Sequence, residues 1–469
     1  MTTLNLEAIR EEFPALKREL DGRPLIYFDA PGGTQMTRRC LDRIVDYLTR
    51  CNANTHGAFV TAVESDAIIA EAHEAAADFL NARSADEIVF GQNMTSLTFA
   101  VSRSLGQWLK EGDEIILTRL DHDANYSPWH LIAMERGVKV NVVDINPDDC
   151  TLLMGDFERF LGPRTKLVAV GYVSNAVGTI NPVARIVRMA HAAGALTFID
   201  AVAAAPHLPI DVQDLDTDFL VCSPYKFWGP HQGFLYGKYD LLDRLPAHKV
   251  RPAEDKPPHK FQTGTQSFEN QAGLIGVMEY LEWFGESAVP ALELHGGARL
   301  PSSPDSPASD DSRARQESRP TGGQVQGIKP GTASENSLRD SAKCRTWRSP
   351  RSARLHYAMR ASQLYEQELI SYLIEHILAI DGVRFFGIRE RGRVSERAPT
   401  VAIRYKDEHP RATAERLARA GICVWDGNYY AINLSECLGV ESTGGMVRVG
   451  LTHYNTRDEI NRLLAALVR

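Results

Sequence analysis

Short runs of β-branched and other apolar residues alternate with amphipathic helical patterns between residues 35 and 245. Nearly wholly apolar runs are typical of strands that are buried on both faces of a parallel sheet. Helices between successive strands predict βαβ units, and therefore an α/β fold with a mostly parallel sheet. The strand candidates are 86–91, 113–118, 139–145, 166–173 and 196–201.

Polar loop segments follow these predicted strands. They read GQNMTS, RLDHDAN, VSNAVG and DAVAAAPH. Ligands of parallel α/β sheets bind beyond the carboxyl ends of the strands. We therefore expect the functional residues to lie in these segments.

The composition changes near residue 295, where Ser, Pro, Arg and Gly replace aliphatic residues up to residue 352. Such a segment cannot bury enough apolar surface to offset the entropy of ordering, so the sequence predicts a disordered insertion over 295–352. A passive linker is a simpler interpretation of it than a docking or phosphorylation segment. The insertion separates a large α/β domain over 20–290 from a smaller α+β domain made of 1–19 and 353–469.

The charge and cysteine content exclude several classes of protein. A net charge of −8 gives no reason to expect nucleic acid or an anionic membrane as a partner. No apolar stretch approaches the roughly 20 residues of a membrane span, and the first residues lack a secretory core. Seven cysteines without regular spacing fit a reducing compartment, and no CxxC pair indicates a structural zinc site. We therefore expect a cytoplasmic enzyme without a metal ion.

A single lysine, Lys226, lies between two aromatic residues in the segment CSPYKFWGP. Burying an ammonium group costs free energy, so the lysine is either paired or has its pKa lowered. In one interpretation Lys226 lies at a turn with its alkyl stem over the aromatic rings. In the other it is a desolvated amine that forms a Schiff base.

Other residues favour the second interpretation. Asp200 ends a predicted strand, and Lys226 follows the end of the next one. This pattern suits pyridoxal phosphate, because the lysine can form the Schiff base and the carboxylate can keep the ring nitrogen protonated. Thr95 and Ser96 begin a predicted helix, where hydroxyl and N–H groups can hold a phosphate. Taken singly, these residues are equally good helix caps or turn residues. Their order and shared location favour a cofactor site.

Several motifs carry a resemblance in the same order along the chain. They are YFDAPGGTQ (27–35), NANTHGAF (52–59), DEIILTRLDHDANYSPW (113–129), KLVAVGYVSNAVGTINPV (166–183), FIDAVAAAPHLPIDVQDLDTDFLVCSPYKFWGP (198–230), FQTGTQS (261–267) and VRVGLTHYNTRDEINRLL (447–464). In these segments the chain resembles the class V, cysteine desulfurase-like branch of the PLP-dependent enzymes of fold type I. The resemblance covers nearly the whole chain apart from the insertion. It implies the PLP-dependent transferase fold, with pyridoxal 5'-phosphate carried by Lys226.

The resemblance also implies roles for individual residues. His122 would stack on the cofactor ring, Asn175 would lie near the cofactor and the substrate carboxylate, and Arg448 would bind that carboxylate. Simpler alternatives are a surface histidine, a turn asparagine and a salt-bridged arginine. Thr95 and Ser223 would bind the phosphate, and Thr265 would reach it from a second subunit, which implies a homodimer with shared active sites. The resemblance also implies a small-molecule substrate that is an amino acid.

Three positions depart from the family pattern. A desulfurase takes sulfur on a cysteine, but the matching position in GICVWDGNYYAINL is Tyr430, and we expect the nearby Cys423 and Cys437 to be packed. Where the family has a polar residue that touches the ring oxygen, this chain has Ala203. A frequent histidine before the lysine is replaced by Tyr225, whose hydroxyl can still donate to phosphate.

These departures leave three functional hypotheses. The leading one is C–S bond cleavage by β-elimination on a cysteine-like amino acid, with Lys226 as the general base. Tyr430 would act there as an acid toward the leaving group, or only fill space. The alternative enzyme is a class V aminotransferase or epimerase. The non-enzyme alternative is a catalytically silent scaffold, which the joint retention of Lys226, Asp200, His122 and Arg448 argues against.

Overall fold

The large sheet has seven strands in the computed structural model, which describes residues 4–288 and 346–468. In spatial order they are Ile88–Gly91, Gly233–Gly237, Phe219–Cys222, Leu196–Asp200, Thr165–Gly171, Glu114–Thr118 and Lys139–Val143. Of these seven, Gly233–Gly237 alone runs antiparallel to its neighbours. The predicted α/β class with a mostly parallel sheet is therefore confirmed.

Both faces of this sheet are buried, as the apolar strand sequences predict. Phe198 packs into the apolar cluster on one face and Ile199 into the cluster on the other, and both side chains are fully buried. The helices of this part are Arg38–Arg50, Val60–Leu80, Met94–Gly106, Ser127–Arg136, Met154–Phe160, Val183–Ala192, Val212–Leu215, Tyr239–Arg244 and Phe268–Trp283. Local signals set their ends: Ser127–Arg136 has Pro128 in its first turn and stops at Gly137, whose φ is +66°.

A second, antiparallel sheet forms the smaller unit. Its strands are, in order, Val383–Phe386, Thr400–Tyr405, Met446–Gly450 and Trp425–Gly427. Helices Pro350–Ile377, Pro410–Arg419, Ile432–Cys437 and Arg457–Leu467 accompany them. Val401 and Val447 of this sheet share an apolar cluster with Leu369 and Leu373 of the long helix.

More of the N-terminal part of the chain contacts the smaller unit than the predicted segment 1–19. In helix Leu6–Glu11, the guanidinium of Arg10 lies 2.9 Å from the Glu459 carboxylate of the smaller unit. However, Ile26–Tyr27 also pairs in parallel with Ile422–Cys423. The predicted start of the large domain at residue 20 is therefore too early.

The predicted end of the insertion at residue 352 is also wrong. Ser349 caps helix Pro350–Ile377, and the guanidinium of Arg348 lies 2.7 Å from the carboxylate of Asp78. Ordering residues 346–352 costs conformational entropy, which so polar a segment cannot offset by burying apolar surface. The ion pair and the helix cap offset it instead. Residues 346–352 are therefore part of the fold, whereas the rest of the predicted segment, 295–345, lies outside the described residues.

We expect Asp78→Ala to lower the free energy of unfolding by about 2–4 kcal/mol, because it removes the buried one of the two carboxylates that the partly buried guanidinium of Arg348 contacts. Asp78 also accepts hydrogen bonds from the hydroxyls of Ser349 and Ser352, at 2.7 and 3.2 Å. Chemical denaturation measures the loss. Glu74→Ala is the matched control, because Glu74 contacts Arg348 from an exposed position and should cost under about 1 kcal/mol. Equal losses in the two variants would contradict the prediction.

No helix within 4–288 or 346–468 combines the length and apolarity needed to cross a membrane.

Candidate active site

A cavity of about 440 Å³ lies at the carboxyl edge of the large sheet, where the smaller unit meets it. Loops after the parallel strands form one wall, and the segment Trp425–Tyr430 with strand Met446–Gly450 forms the other. The residues predicted for the site that line it are Thr95, His122, Asn175, Asp200, Ser223, Tyr225, Lys226, Tyr430 and Arg448. Ala203 also lines it.

Lys226 ends a short turn, Pro224–Lys226, directly after strand Phe219–Cys222. Its ammonium donates a hydrogen bond to the carbonyl of Pro31 and lies 4.8 Å from the centre of the Tyr225 ring. Burial, helped by the nearby Arg448, lowers the pKa of Lys226 to about 7. A neutral amine is therefore well populated at neutral pH.

Asp200 is buried at the end of its strand. One carboxylate oxygen accepts a hydrogen bond from the N–H of Val202 at 2.9 Å, which helps to fix this side chain at the cavity that Asp200 lines. Burial raises the pKa of Asp200 to about 6, and the charge of Lys226 opposes this. A cationic donor bound beside it would hold the carboxylate ionised.

The side chain of His122 is neutral at physiological pH. Its Nδ1 accepts a hydrogen bond from the N–H of Ala124 at 3.0 Å, so the ring proton lies on Nε2. Burial, with Lys226 and Arg448 nearby, lowers the pKa of His122 to about 4. The ring stacks on Tyr430, with centroids 5.5 Å apart and planes inclined by 23°.

Arg448 is a buried cation on strand Met446–Gly450, with 4% of its surface exposed. It donates to the carbonyl of Asn175 at 2.7 Å and lies 4.2 Å from the centre of the Tyr429 ring. Its Nε has no hydrogen-bond partner within the described part of the chain. A buried guanidinium with a free donor is suited to an incoming carboxylate.

The loop that carries Tyr429 and Tyr430 has an uncommon backbone. Both tyrosines are left-handed, with φ of +58° and +60°, a conformation that costs free energy for a side chain of this size. The Tyr429 carbonyl accepts from the Asn175 side chain at 2.8 Å, and the Tyr430 carbonyl accepts from the N–H of Asp123 at 2.8 Å. The hydroxyl of Tyr429 donates to the carbonyl of Met446. The surrounding hydrogen bonds therefore hold this loop in place at the cavity.

A cradle for an anion lies where helix Met94–Gly106 begins. Thr95 in its first turn lines the cavity, and the hydroxyl of Ser223 opposite is buried with no partner among the described residues. A Cβ on Gly233 would lie 2.4 Å from the backbone of Asn93, so this glycine permits the close approach of strand and helix start. An unpartnered buried hydroxyl beside a helix N-terminus fits a phosphate group.

Two residues predicted for the site do not line this cavity. The backbone N–H and the hydroxyl of Ser96 both bond to the side chain of Asn93, at 2.8 and 3.1 Å, because Asn93 caps the helix. Ser96 instead lines a neighbouring cavity of about 370 Å³. Thr265, on an exposed loop, lines the same second cavity.

Neither nearby cysteine lines the active-site cavity. Cys423 is half-buried in its strand, and burial raises the pKa of its thiol to about 11. Cys437 is exposed at the end of helix Ile432–Cys437, so the expectation that it is packed is wrong. The helix turns it away from the core, into which Leu434 packs instead.

The structure also contains a carboxyl group that the sequence reasoning missed. Asp121 is buried beside His122 and accepts hydrogen bonds from Thr118 at 2.6 Å, from Asn125 at 3.1 Å and from the N–H of Gly171. Burial raises its pKa to about 7. The signal in the sequence was its position next to His122 after an apolar strand, a pattern that a turn residue shares.

The chain belongs to the class-V aminotransferase family, whose sequence pattern matches residues 26–297 and 353–463. It is 31% identical to a cysteine desulfurase of Serratia proteamaculans, over 99% of this chain and 98% of that protein. A probable cysteine desulfurase of Mycolicibacterium paratuberculosis is 30% identical, and this chain spans 58% of its length. A solved structure of a cysteine desulfurase from Thermococcus onnurineus shares the fold, with a TM-score of 0.77 at 22% identity over 100% of this chain and 98% of that one.

Pyridoxal phosphate is the cofactor of this family, and the predicted fold type I is confirmed. The residues present fit the cofactor: an amine with a lowered pKa, a buried carboxylate and an unpartnered hydroxyl beside a helix N-terminus line one cavity.

We expect the reactivity of Lys226 toward an amine reagent to rise with pH through about 7, because only the neutral amine is a nucleophile. Cofactor-free protein is treated with trinitrobenzenesulfonate across a pH series, and modified Lys226 is quantified by peptide mass spectrometry. A lysine with the ordinary pKa of about 10.4 would show this rise roughly three pH units higher. A midpoint above 9 would contradict the lowered pKa.

Proposed function

We propose that this protein is a pyridoxal phosphate enzyme that breaks the bond between Cβ and sulfur of a cysteine-like amino acid by β-elimination. The products are a thiol, pyruvate and ammonia. One observation carries the proposal: among the described residues that line the cavity there is no cysteine. The position at which the family resemblance expects a sulfur acceptor is Tyr430, and a phenol forms no persulfide.

Binding of the substrate carboxylate falls to Arg448, whose Nε is buried and free in the described structure. Asn175 would lie beside that carboxylate. Its unpartnered side-chain oxygen only accepts, so it suits a donor on the substrate or cofactor rather than the carboxylate itself. Burial strengthens an ion pair with a carboxylate, because water does not screen it. The pKa of Arg448 is lowered by burial, but only to about 10, so the guanidinium remains a cation at neutral pH.

Proton transfer at Cα falls to Lys226. The bound cofactor supplies an electron sink for the pair that this transfer leaves behind. With a pKa of about 7, the amine is neutral in a large fraction of molecules and can act as a general base. Asp200 would keep the ring nitrogen of the cofactor protonated, and neutral His122 would offer a flat ring face without adding positive charge.

The product formed from L-cysteine by the purified, cofactor-loaded protein tests the proposal. Pyruvate without alanine supports β-elimination, because elimination leaves a three-carbon keto acid. Alanine would overturn the proposal, since it forms when sulfur is passed to an acceptor. Cys423→Ser and Cys437→Ser would then identify that acceptor. The variant that no longer forms alanine is the one in which the accepting cysteine has been replaced.

We further propose a homodimer in which Thr265 completes the partner's site. Thr265 is exposed and lies outside the cavity of its own chain. Mixing Thr265→Ala and Lys226→Ala subunits tests this, because a mixed dimer would pair an intact Lys226 with an intact Thr265. Recovered activity supports shared sites, and no recovery in mixed dimers contradicts them. The cytoplasmic location stays a prediction from the sequence.

A further inference from the structure

We propose that the substrate is a cysteine whose sulfur carries an uncharged apolar group, such as an aralkyl thioether, rather than free cysteine. This inference rests on the β-elimination proposed above. It names the chemical class of the leaving group. The support comes from the mouth of the cavity, which we define as Trp425, Gly427, Asn428 and Tyr430.

Two large aromatic side chains at this mouth are exposed. Trp425 is 51% and Tyr430 69% exposed, and both line the cavity. Exposed aromatic rings that border a cavity are suited to contact an apolar ligand, because the contact removes their surface from water. A free thiol is too small to cover either ring.

The position of the Trp425 indole is fixed relative to the reacting groups. Trp425 pairs directly with Arg448 across two antiparallel strands, so the two side chains lie on the same face of the sheet. A Cβ on Gly32 would lie 2.2 Å from the indole Nε1, so the indole packs against the bare backbone of Gly32. The carbonyl of the preceding residue, Pro31, accepts the hydrogen bond from Lys226.

The phenol ring of Tyr430 also lies close to a residue of the site, because it stacks on the ring of His122. An amino acid whose carboxylate is held by Arg448 therefore finds aromatic surface on two residues near its side chain. A sulfur substituent larger than a hydrogen atom would gain binding free energy from contact with both rings.

No free charge lies at the mouth within the described chain. The neighbouring carboxylate of Asp426 lies 3.2 Å from the Arg411 guanidinium, and the amide of Asn428 donates to Glu441 at 2.8 Å. The charges deeper in the cavity, on Lys226, Asp200 and Arg448, serve the cofactor and the substrate carboxylate. A charged sulfur substituent would lose its hydration without gaining a partner. An uncharged one does not incur this cost.

The reaction balances without an oxidant or a further reactant except water. The Cα–H and Cβ–S bonds break, and the thiol leaves with one proton. The released 2-aminoacrylate is hydrolysed by water to pyruvate and ammonia.

Three substrates test the inference with the cofactor-loaded protein: S-benzyl-L-cysteine, L-cysteine and β-chloro-L-alanine. We expect kcat/KM for S-benzyl-L-cysteine to exceed that for L-cysteine by at least about tenfold, because one well-placed methylene already contributes 10- to 200-fold. Equal or lower values would overturn the inference. Pyruvate from β-chloro-L-alanine but not from S-benzyl-L-cysteine would overturn it while β-elimination stands. Pyruvate from none of the three would overturn the proposed function itself.

Variants locate the preference at the mouth. Trp425→Ala should lower the ratio of kcat/KM for S-benzyl-L-cysteine over L-cysteine at least fivefold, mostly through KM. Gly32→Ala should lower it as well, because its Cβ displaces the indole without removing it. Trp108→Ala is the matched control, since Trp108 is 39% exposed and lies outside the cavity. An unchanged ratio in both Trp425→Ala and Gly32→Ala would overturn the inference.

A binding measurement separates recognition from chemistry. 3-(Benzylthio)propanoate and 3-mercaptopropanoate have the carboxylate but no amino group, so neither can react at Lys226. Calorimetric titration should show at least about tenfold tighter binding of the benzyl compound, and a difference of less than threefold in Trp425→Ala. Equal binding of the two compounds by the unaltered protein would overturn the inference.

Discussion

Lys226→Ala is expected to abolish turnover, with kcat/KM reduced by about 10³-fold or more. The substitution removes the amine that we propose both holds the cofactor and acts as the general base, and a general base alone contributes about 10²- to 10⁴-fold. No other lysine lines the cavity in the described part of the chain, so no second amine takes over. Pyruvate release measures the loss, and visible absorbance measures covalently held cofactor.

Lys260→Met is the matched control for this variant. Lys260 is also a buried lysine whose pKa burial lowers, but it donates to the carbonyl of Asp243 outside the cavity. Its loss should leave both turnover and cofactor absorbance within about threefold of the unaltered protein. Substantial pyruvate release by a folded Lys226→Ala protein would contradict the role given to this lysine.

Arg448→Ala is expected to reduce kcat/KM by about 10²- to 10³-fold, mainly through a higher KM. Removing one partner of a buried charge pair costs about 2–5 kcal/mol, because the other charge stays without compensation. Arg448→Lys should recover only part of the loss, since an ammonium supplies charge without the fork that binds both carboxylate oxygens. Steady-state kinetics with L-cysteine and S-benzyl-L-cysteine measure the effect.

Arg404→Gln controls for damage to the strand. Arg404 lies on the adjacent strand Thr400–Tyr405, bonds to the carbonyl of Thr443 and does not line the cavity. Its substitution should leave KM within about twofold. If Arg448→Ala lowers kcat while KM stays unchanged, Arg448 does not bind the substrate carboxylate in the ground state.

The sequence predicted the sheet and the place of the site because both follow from local patterns. Apolar runs such as LTFID specify a strand buried on both faces, and parallel strands bring their carboxyl ends together. This reasoning placed Asp200, Asn175 and Lys226 at one cavity without knowledge of distances.

The features that were missed depend on tertiary contacts. Ser96 lies next to Thr95, yet the Asn93 cap takes both of its donors, and sequence spacing does not show which neighbour faces the ligand. Residues 346–352 have the composition of the insertion, but Arg348 finds Asp78 across 270 positions of the chain. A contact between residues so far apart in the sequence cannot be predicted from local composition, because it depends on the folded position of the distant partner.

The left-handed pair Tyr429–Tyr430 has a consequence for how the two units are held together. The carbonyls of both tyrosines accept hydrogen bonds from the large domain, through Asn175 and Asp123, although the loop belongs to the smaller unit. Swinging the two units apart about a hinge would break these bonds, at about 1 kcal/mol each, and would release the loop from its strained form. The loop therefore already lies in place at the cavity without a bound ligand, held by contacts to both units.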